Sequence, residues 1–360
     1  MERKGRWSDA ARWEQVWQSR PPLWLRGLAH LYALGWQAYA GVYRLGLKRR
    51  TVMPVPVIGV GSLWAGGVGK TPLTIAMTRV LQEAGARVVV LTHGYGSSGY
   101  RTGMLVDPAQ HPDPAVVGDE AAELRLALPE VPLAVGKWRA RMAQAAIERW
   151  APDALVLDDG FQHLPLARTL DWVLLPVESP LGNGFCVPAG PLREPPDGVR
   201  RASGVVWVRW ANSPAEGAIA SERQDFAVPV PTYTATIAPT ALLHVLTGER
   251  LPLHALQGRA LTLVCGVARP QRFLQTAQAQ GYTVEATRLF PDHHAYTPDD
   301  LRLLTGKTVL TTLKDAVKLR TRLPQSCDAY ALLIEAHLED TLRSRILSQF
   351  TGTPAPNQES

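Results

Sequence analysis

The hydrophobic and polar positions of the chain repeat one unit: a short β-branched run, a turn, then a segment with helical spacing. Val55, Val57, Ile58 and Val60 form the first such run. It ends in Gly66-Gly67-Val68-Gly69, and a helix-like run follows from Leu73 to Leu81. Arg87 to Leu91, Val131 to Val135, Ala154 to Leu157 and Trp172 to Val177 read as further strands, with helical spacing after Asp119 and Arg139. A second series starts at Leu261-Thr262-Leu263-Val264 and continues at Thr283 to Arg288 and Thr308 to Thr312, again alternating with helical segments. Strands alternating with helices predict an α/β fold with a parallel sheet.

The same pattern divides the chain. Residues 51–200 read as a P-loop NTPase-like domain, 241–350 as a second, smaller α/β domain, and 201–240, with short β-like runs around a polar segment, as a connector. Residues 351–360 are polar and read as a flexible tail. Residues 1–50 differ from the rest. Trp7, Trp13 and Trp17 stand among charges, and Leu23 to Leu47 is apolar except for Arg26, His30, Gln37 and Arg44. Spacings of four and seven put those four on one helical stripe. With Trp and Tyr along the run and Lys48-Arg49-Arg50 closing it, the segment reads as a membrane-associated amphipathic helix. The other reading is an amphipathic helix packed on the protein's own core.

Composition narrows the function. A chain of 360 residues, 46% hydrophobic and 19% charged, is globular and long enough for two domains. Its net charge of +6 favours an anionic partner. Nucleic acid is not expected, since no aromatic-interleaved basic stripe, zinc finger or RNA-binding signature is present. Cys186, Cys265 and Cys327 are scattered, which fits a reducing compartment without a disulfide frame or metal spacing. The first twenty residues lack an apolar core, so no cleavable signal peptide is expected.

The candidate chemistry sits at strand ends. Gly66-Gly67-Val68-Gly69-Lys70-Thr71 between a strand and a helix is the layout of a phosphate-binding P-loop. Backbone amides and a helix N-terminus would face phosphate oxygens, Lys70 would reach the β- and γ-phosphates, and Thr71 would offer its hydroxyl to Mg²⁺. Trp64 stands where the first motif glycine usually falls, and Ala65 where partitioning-type ATPases carry a signature lysine. The strand Ala154-Leu155-Val156-Leu157 ends in Asp158-Asp159, a Walker B pattern whose carboxylates hold Mg²⁺ directly or through water. Its alternative is a simple acidic turn. His93-Gly94-Tyr95-Gly96 closes another strand. Asp119 reads as a helix N-cap, and Arg139 at a helix start is well placed for an anion. Arg193-Glu194 lie in a Gly/Pro-rich loop, where a solvated ion pair is the alternative. In Asp292-His293-His294 a loop histidine acting on a substrate fits better than a metal cluster.

Taken together, GSLWAGGVGKTP at 61–72, HGYG at 93–96, GDE at 118–120, DDGFQH at 158–163, PAGPLREP at 188–195, FPDHH at 290–294 and TTLKDAVK at 311–318 resemble the tetraacyldisaccharide 4′-kinase family, the lipid A 4′-kinases of Gram-negative bacteria. The resemblance covers nearly the whole chain. It implies two P-loop- or Rossmann-like α/β domains joined by a β-ribbon. It also implies transfer of the ATP γ-phosphate to the 4′-hydroxyl of a disaccharide-1-phosphate glycolipid, at the cytoplasmic face of the inner membrane. By resemblance, Trp64, Ala65, Gly66, Gly67, Val68, Gly69, Lys70 and Thr71 are the ATP-binding segment. Thr71, Asp158 and Asp159 look like the Mg²⁺ ligands. Asp119 resembles the general base and His293 its orienting partner, with Lys70 on the transferring phosphate. Tyr95, Arg139, Gln162, His163, Arg193 and Glu194 resemble residues around the sugar and phosphates. The family commonly has arginine before GYG, where this chain has His93. Two other classes stay open from sequence: a membrane-associated switch ATPase with no small-molecule acceptor, and a nucleotide-binding protein without catalysis.

Overall fold

The computed structural model describes residues 20–108, 110–213 and 228–349, and positions 17 and 226 besides. Trp7, Trp13, most of the polar segment of the connector and the 351–360 tail lie outside the described residues. Helix α1 spans Leu23–Arg44. Strand β1 (Val57–Ser62) leads into α2 (Lys70–Glu83), then β2 (Val88–Thr92) and β3 (Met104–Val106). Helix α3 (Asp119–Ala127), β4 (Leu133–Val135), α4 (Arg139–Trp150), β5 (Ala154–Asp158), β6 (Leu170–Pro176) and β7 (Gly204–Trp210) follow. The rest comprises β8 (Thr232–His244), β9 (Arg250–Leu251), β10 (Ala260–Cys265), α5 (Pro270–Ala279), β11 (Thr283–Leu289), α6 (Pro298–Arg302), β12 (Thr308–Thr312), α7 (Leu313–Leu319), β13 (Asp328–Leu338) and α8 (Asp340–Leu347).

These strands form one sheet in the order β11-β10-β12-β13-β8-β7-β6-β1-β5-β2-β4-β3, with β9 paired to β8. The fold is mixed α/β with a large, mostly parallel sheet. Among the described strands, antiparallel pairing occurs between β3 and β4, β8 and β13, and β8 and β9. Every residue of β1, β2, β5 and β6 is buried. That is why these strands read as unbroken Val/Leu/Ile runs rather than alternating ones: helices cover both faces. In α2, Leu73, Met77 and Leu81 are fully buried against the sheet, each contributing about 1.5–3 kcal/mol of apolar burial. The carboxyl ends of β1, β2 and β5 bring the glycine loop, the 93–96 loop and Asp158-Asp159 to one edge of the sheet, as parallel β–loop–α units dictate.

Helix α1 packs on the body by a thin seam, Leu25 and Ala29 against Ala189 and Phe185. The polar stripe borders that seam. Arg26 lies over the Phe185 ring at 5.6 Å, and His30 meets it edge-on at 6.1 Å. Leu23, Trp24, Leu28, Leu31 and Leu34 point outward and are exposed. Among the described residues, no helix is long and apolar enough to cross a membrane.

Candidate active site

The glycine loop is held from several sides. Gly69 caps α2 at φ 97°, and a Cβ there would lie 2.2 Å from Ile237 Cδ1 of β8, so only glycine fits. Arg272 Nη1 donates to the Gly67 carbonyl at 3.1 Å, and the Arg269 guanidinium covers the Trp64 ring at 4.2 Å. The Trp64 indole donates to the Pro180 carbonyl at 2.7 Å, and the Ala65 amide to the Pro191 carbonyl at 2.8 Å. Trp64 and Ala65 are therefore packed into the loop's base, while Gly66 to Thr71 form its rim. Val68 is buried.

At the end of β5 the two acids have opposite surroundings. Asp159, at φ 50°, receives Arg193 Nη1 at 2.7 and 2.8 Å and pairs with Lys70 Nζ at 3.3 Å. Burial alone would raise its carboxyl, but the Lys70 and Arg193 charges hold it well below the usual carboxylate range. Asp158 is buried and accepts from Thr74 Oγ1 at 2.8 Å. Burial, with the charges of Glu120 and Asp159, pushes its carboxyl up to about 7. One acid is thus satisfied by protein cations and the other is short of positive charge.

Arg193 Nη2 also donates to the Ala65 carbonyl at 3.0 Å. Its neighbour Glu194 is buried at the centre of a second network. It accepts from Gln162 Nε2 at 2.6 Å, from both ends of the Arg201 guanidinium, and from the Trp36 indole of α1 at 3.1 Å. Tyr32, also on α1, donates to the Arg193 carbonyl at 2.7 Å. Helix α1 is thereby tied to the site, and a cavity of about 670 Å³ opens beside it, lined by Trp36, Arg44, Arg50, Glu194, Arg200 and Arg201. Arg193-Glu194 is not a solvated pair: each side chain binds a different part of the site.

Arg139 is 1% exposed. Its Nη1 donates to the Asp159 carbonyl at 3.3 Å, while Nε and Nη2 have no hydrogen-bond partner among the described residues. Burial lowers its guanidinium to about 10 against the pull of Asp159, Asp158 and Glu120, so it stays charged. His93 is driven down to about 3 by burial and the Arg139 charge, and His163 likewise by burial, Arg139 and Arg168. Both imidazoles are neutral at physiological pH. His93 therefore does not replace an arginine's charge.

Asp119 and His293 meet across the two halves of the chain. Gly118 and Gly94 let the 93–96 and 118–120 loops touch, since a Cβ on Gly118 would lie 2.9 Å from Gly94 Cα. Asp119 at the start of α3 then faces His293 Nδ1 at 2.9 Å. His293 comes from the loop after β11 and adopts φ 60°. Burial alone would raise the Asp119 carboxyl, but the His293 hydrogen bond and the Lys314 and Lys318 ammonium groups bring it down to about 2. The same hydrogen bond raises His293 above the usual imidazole range, against burial and Lys314. Tyr95 lies edge-on to His293 with ring centroids 5.9 Å apart. His294 turns away, bonded to Asp300 at 3.0 Å and stacked on Phe290, and serves the loop's structure.

Most of the residues singled out from sequence converge here. Lys70, Asp159, Arg139, Gln162, Arg193, Glu194 and Ala65 form one bonded set, with Asp158 next to it and bonded to Thr74; Asp119 and His293 form a second, with Tyr95 edge-on to the imidazole. Thr71 lies next to Lys70 in the first turn of α2. His163 sits beside Arg168, which donates to its carbonyl at 2.6 Å. Sequence reasoning gave no role to Thr74, Trp36, Arg201, Lys314 or Lys318. Thr74 carried a usable signal, a polar residue one turn after Lys70 set between the apolar Leu73 and Ile75.

A glycine loop at a helix N-terminus, an acid-terminated strand and a carboxylate–histidine pair, gathered at one end of a parallel sheet, define a phosphotransferase. The chain belongs to the tetraacyldisaccharide-1-P 4′-kinase family, whose model matches residues 22–351. It is 40% identical over 321 residues to the tetraacyldisaccharide 4′-kinase of Anaeromyxobacter dehalogenans strain 2CP-C, covering 84% of each chain. The corresponding kinase of Chromobacterium violaceum is 35% identical over 348 residues, covering 93% of this chain and 97% of the relative. Among solved structures, apo-form LpxK from Aquifex aeolicus in complex with ATP aligns with a TM-score of 0.74 at 28% identity. The alignment covers 91% of this chain and 98% of that one.

Proposed function

We propose that this chain is a lipid kinase that moves the γ-phosphate of ATP to the 4′-hydroxyl of a tetraacyldisaccharide 1-phosphate, a lipid A precursor. The observation that carries the reading is the Asp119–His293 pair at 2.9 Å, a carboxylate held by an imidazole beside a phosphate-type glycine loop. A sugar hydroxyl is a poor nucleophile, and Asp119 would take its proton as the phosphoryl group moves. The rim from Gly66 to Thr71 would cradle the triphosphate, with Lys70 on the β- and γ-phosphates. The unmet donors of buried Arg139 suit an incoming phosphate or sugar oxygen.

Mg²⁺ fits the donor set. Asp158 is buried and short of positive charge, and Thr71 stands in the first turn of the adjoining helix. Among the described residues, no group of three or more His, Cys, Asp or Glu side chains forms a protein cage. Mg²⁺ needs none when one or two carboxylates and substrate phosphates supply its oxygens. Bound there, the cation would neutralise charge on the transferring phosphoryl group. Asp158 is the better ligand of the acidic pair, because Asp159 is already engaged by Arg193 and Lys70. Arg193 and Asp159 would fix the base of the loop, while Gln162, Glu194, His163 and Tyr95 line the approach of the acceptor.

The finer architecture follows the same reading. Residues 51–200 form a P-loop-type unit, 241–350 a smaller Rossmann-like unit, and the segment between them a β-ribbon joint. Helix α1 lies in the cytoplasmic face of the bacterial inner membrane with Trp24, Leu28 and Leu31 in the acyl boundary, while Lys48 to Arg50 meet anionic headgroups. The arginine-lined cavity beside α1 suits an anionic glycolipid. The reading is tested with γ-labelled Mg-ATP and detergent-dispersed disaccharide-1-phosphate lipid. Label is expected on the lipid with the wild type, with a loss of orders of magnitude for Asp119→Ala. Label released only as free phosphate would overturn the kinase and bring forward a lipid-stimulated switch ATPase.

A further inference from the structure

The Asp119–His293 pair has a third member. Lys314 Nζ lies 3.2 Å from His293 Nε2, while His293 Nδ1 faces Asp119 Oδ1 at 2.9 Å. An ammonium has three donors and no acceptor. Nε2 therefore accepts from Lys314, and the ring proton sits on Nδ1, where it donates to Asp119. We propose that Lys314 is a positioning residue for phosphoryl transfer: it fixes His293 as the Nδ1–H tautomer and commits Asp119 Oδ1 to the imidazole, leaving Oδ2 to take the proton of the acceptor hydroxyl. This inference rests on the kinase reading above.

Asp119 Oδ1 is fully used, since it also accepts the Glu120 amide at 3.0 Å. Oδ2 faces Lys318 at 3.6 Å and Lys314 at 3.9 Å, beyond hydrogen-bond length but close enough to stabilise the carboxylate. Lys314 is itself anchored by Asp292 Oδ1 at 3.0 Å and by Glu120 at 3.9 Å. Those groups, with Lys318 from α7, the acid Glu123 of α3 and the Tyr95 ring, are charged and titratable neighbours of the pair, and Asp292 Oδ2 stands 3.7 Å from His293 Nε2, farther than Lys314. Asp119 arrives on α3, His293 on the loop after β11, and Lys314 on α7, so the tautomer is set only when both halves of the chain are in register. In the transfer step the acceptor oxygen bonds the γ-phosphorus, and the bridging P–O bond breaks with its electrons on ADP. The hydroxyl proton goes to Oδ2 and is later released to water.

The wild-type full chain, labelled with ¹⁵N-histidine, tests the tautomer directly by two-bond imidazole NMR at about pH 8, with His293→Gln giving the assignment. A protonated Nδ1 and an unprotonated Nε2 are expected, and the reverse pattern would overturn the proposal whether or not any variant folds. Kinetics test the consequence. Lys314→Met removes the charge that favours ionised Asp119 and neutral His293. The acid limb of kcat/KM should therefore move up by about one pH unit, while Lys314→Arg keeps it near the wild-type position. A folded Lys314→Met enzyme with reduced kcat and an unmoved acid limb would mean that Lys314 only supports the loop. Wild-type enzyme that puts no label on lipid would overturn the kinase reading instead, a result separable from the NMR pattern.

Discussion

Replacing Glu194 by alanine is expected to destabilise the fold by about 3 kcal/mol, because it strips the Arg201 guanidinium of its counter-charge. The Glu194 side chain is 1% exposed and meets donors from Gln162, Trp36 and Arg201. Truncation leaves the Arg201 guanidinium, 21% exposed and 3.7 Å above the Phe161 ring, without its counter-charge. Removing one partner of a buried ion pair costs about 3–5 kcal/mol. Arg201 keeps bonds to the Gly198 and Phe161 carbonyls, at 3.0 and 3.2 Å, and its partial exposure screens it, which puts the loss at the low end. Glu194→Gln keeps the volume and one acceptor but not the charge, so about half that loss is expected. Urea unfolding followed by far-UV circular dichroism reads both. Helix α1 gives a second readout, because loss of the Trp36 bond should speed tryptic cleavage around Lys48 to Arg50. A loss below about 1 kcal/mol for Glu194→Ala, the range of a surface ion pair, would refute the reasoning.

Three further outcomes are expected. Asp158→Asn keeps an acceptor for Thr74 Oγ1 but removes a buried charge whose folded value, about 7, lies above the unfolded one. The wild type's penalty therefore grows as pH rises from about 4 to 7 and is flat above, so the variant should melt higher at pH 8, with little difference near pH 4, while transfer is lost. Asp119 is shifted the other way, to about 2, so its contribution to stability is full above about pH 4 and is lost as pH falls toward 2; acid unfolding of Asp119→Asn should lack that segment. Gly69→Ala, at φ 97° and with its Cβ 2.2 Å from Ile237 Cδ1, should lower stability by at least about 1–3 kcal/mol and raise KM for ATP, and an Ile237→Ala background should relieve only the steric part.

The fold was legible because the strands are buried on both faces. A run such as Val57 to Val60 can be little else when a glycine turn and a helical period follow it, and β1, β2, β5 and β6 are wholly buried as that pattern requires. The site was legible wherever chemistry needs particular residue types at fixed spacing, as in Lys70-Thr71 and Asp158-Asp159. What stayed hidden was which partner each of those residues would meet. Nothing in the Asp158-Asp159 dipeptide tells the two acids apart. The difference arises from Arg193, 34 residues on, which takes Asp159 and leaves Asp158 to Thr74.

The polar stripe of α1 shows the same limit. Its period predicted an amphipathic helix correctly, but the stripe borders the docking seam, and the face left outward is apolar. A stripe of four polar residues cannot say which side of it meets the protein; the small Leu25–Ala29 seam and the two bonds from Tyr32 and Trp36 decide that. Those bonds end on Arg193 and Glu194, the first of which also holds Asp159 and the loop at Ala65. A change in how α1 sits is therefore transmitted to the acid pair through two adjacent residues. On that argument a Tyr32→Phe, Trp36→Phe double variant should raise the KM for lipid and also slow kcat at saturating lipid. A change in KM alone would mean that the helix is only a docking surface and the Arg193–Glu194 connection carries no coupling.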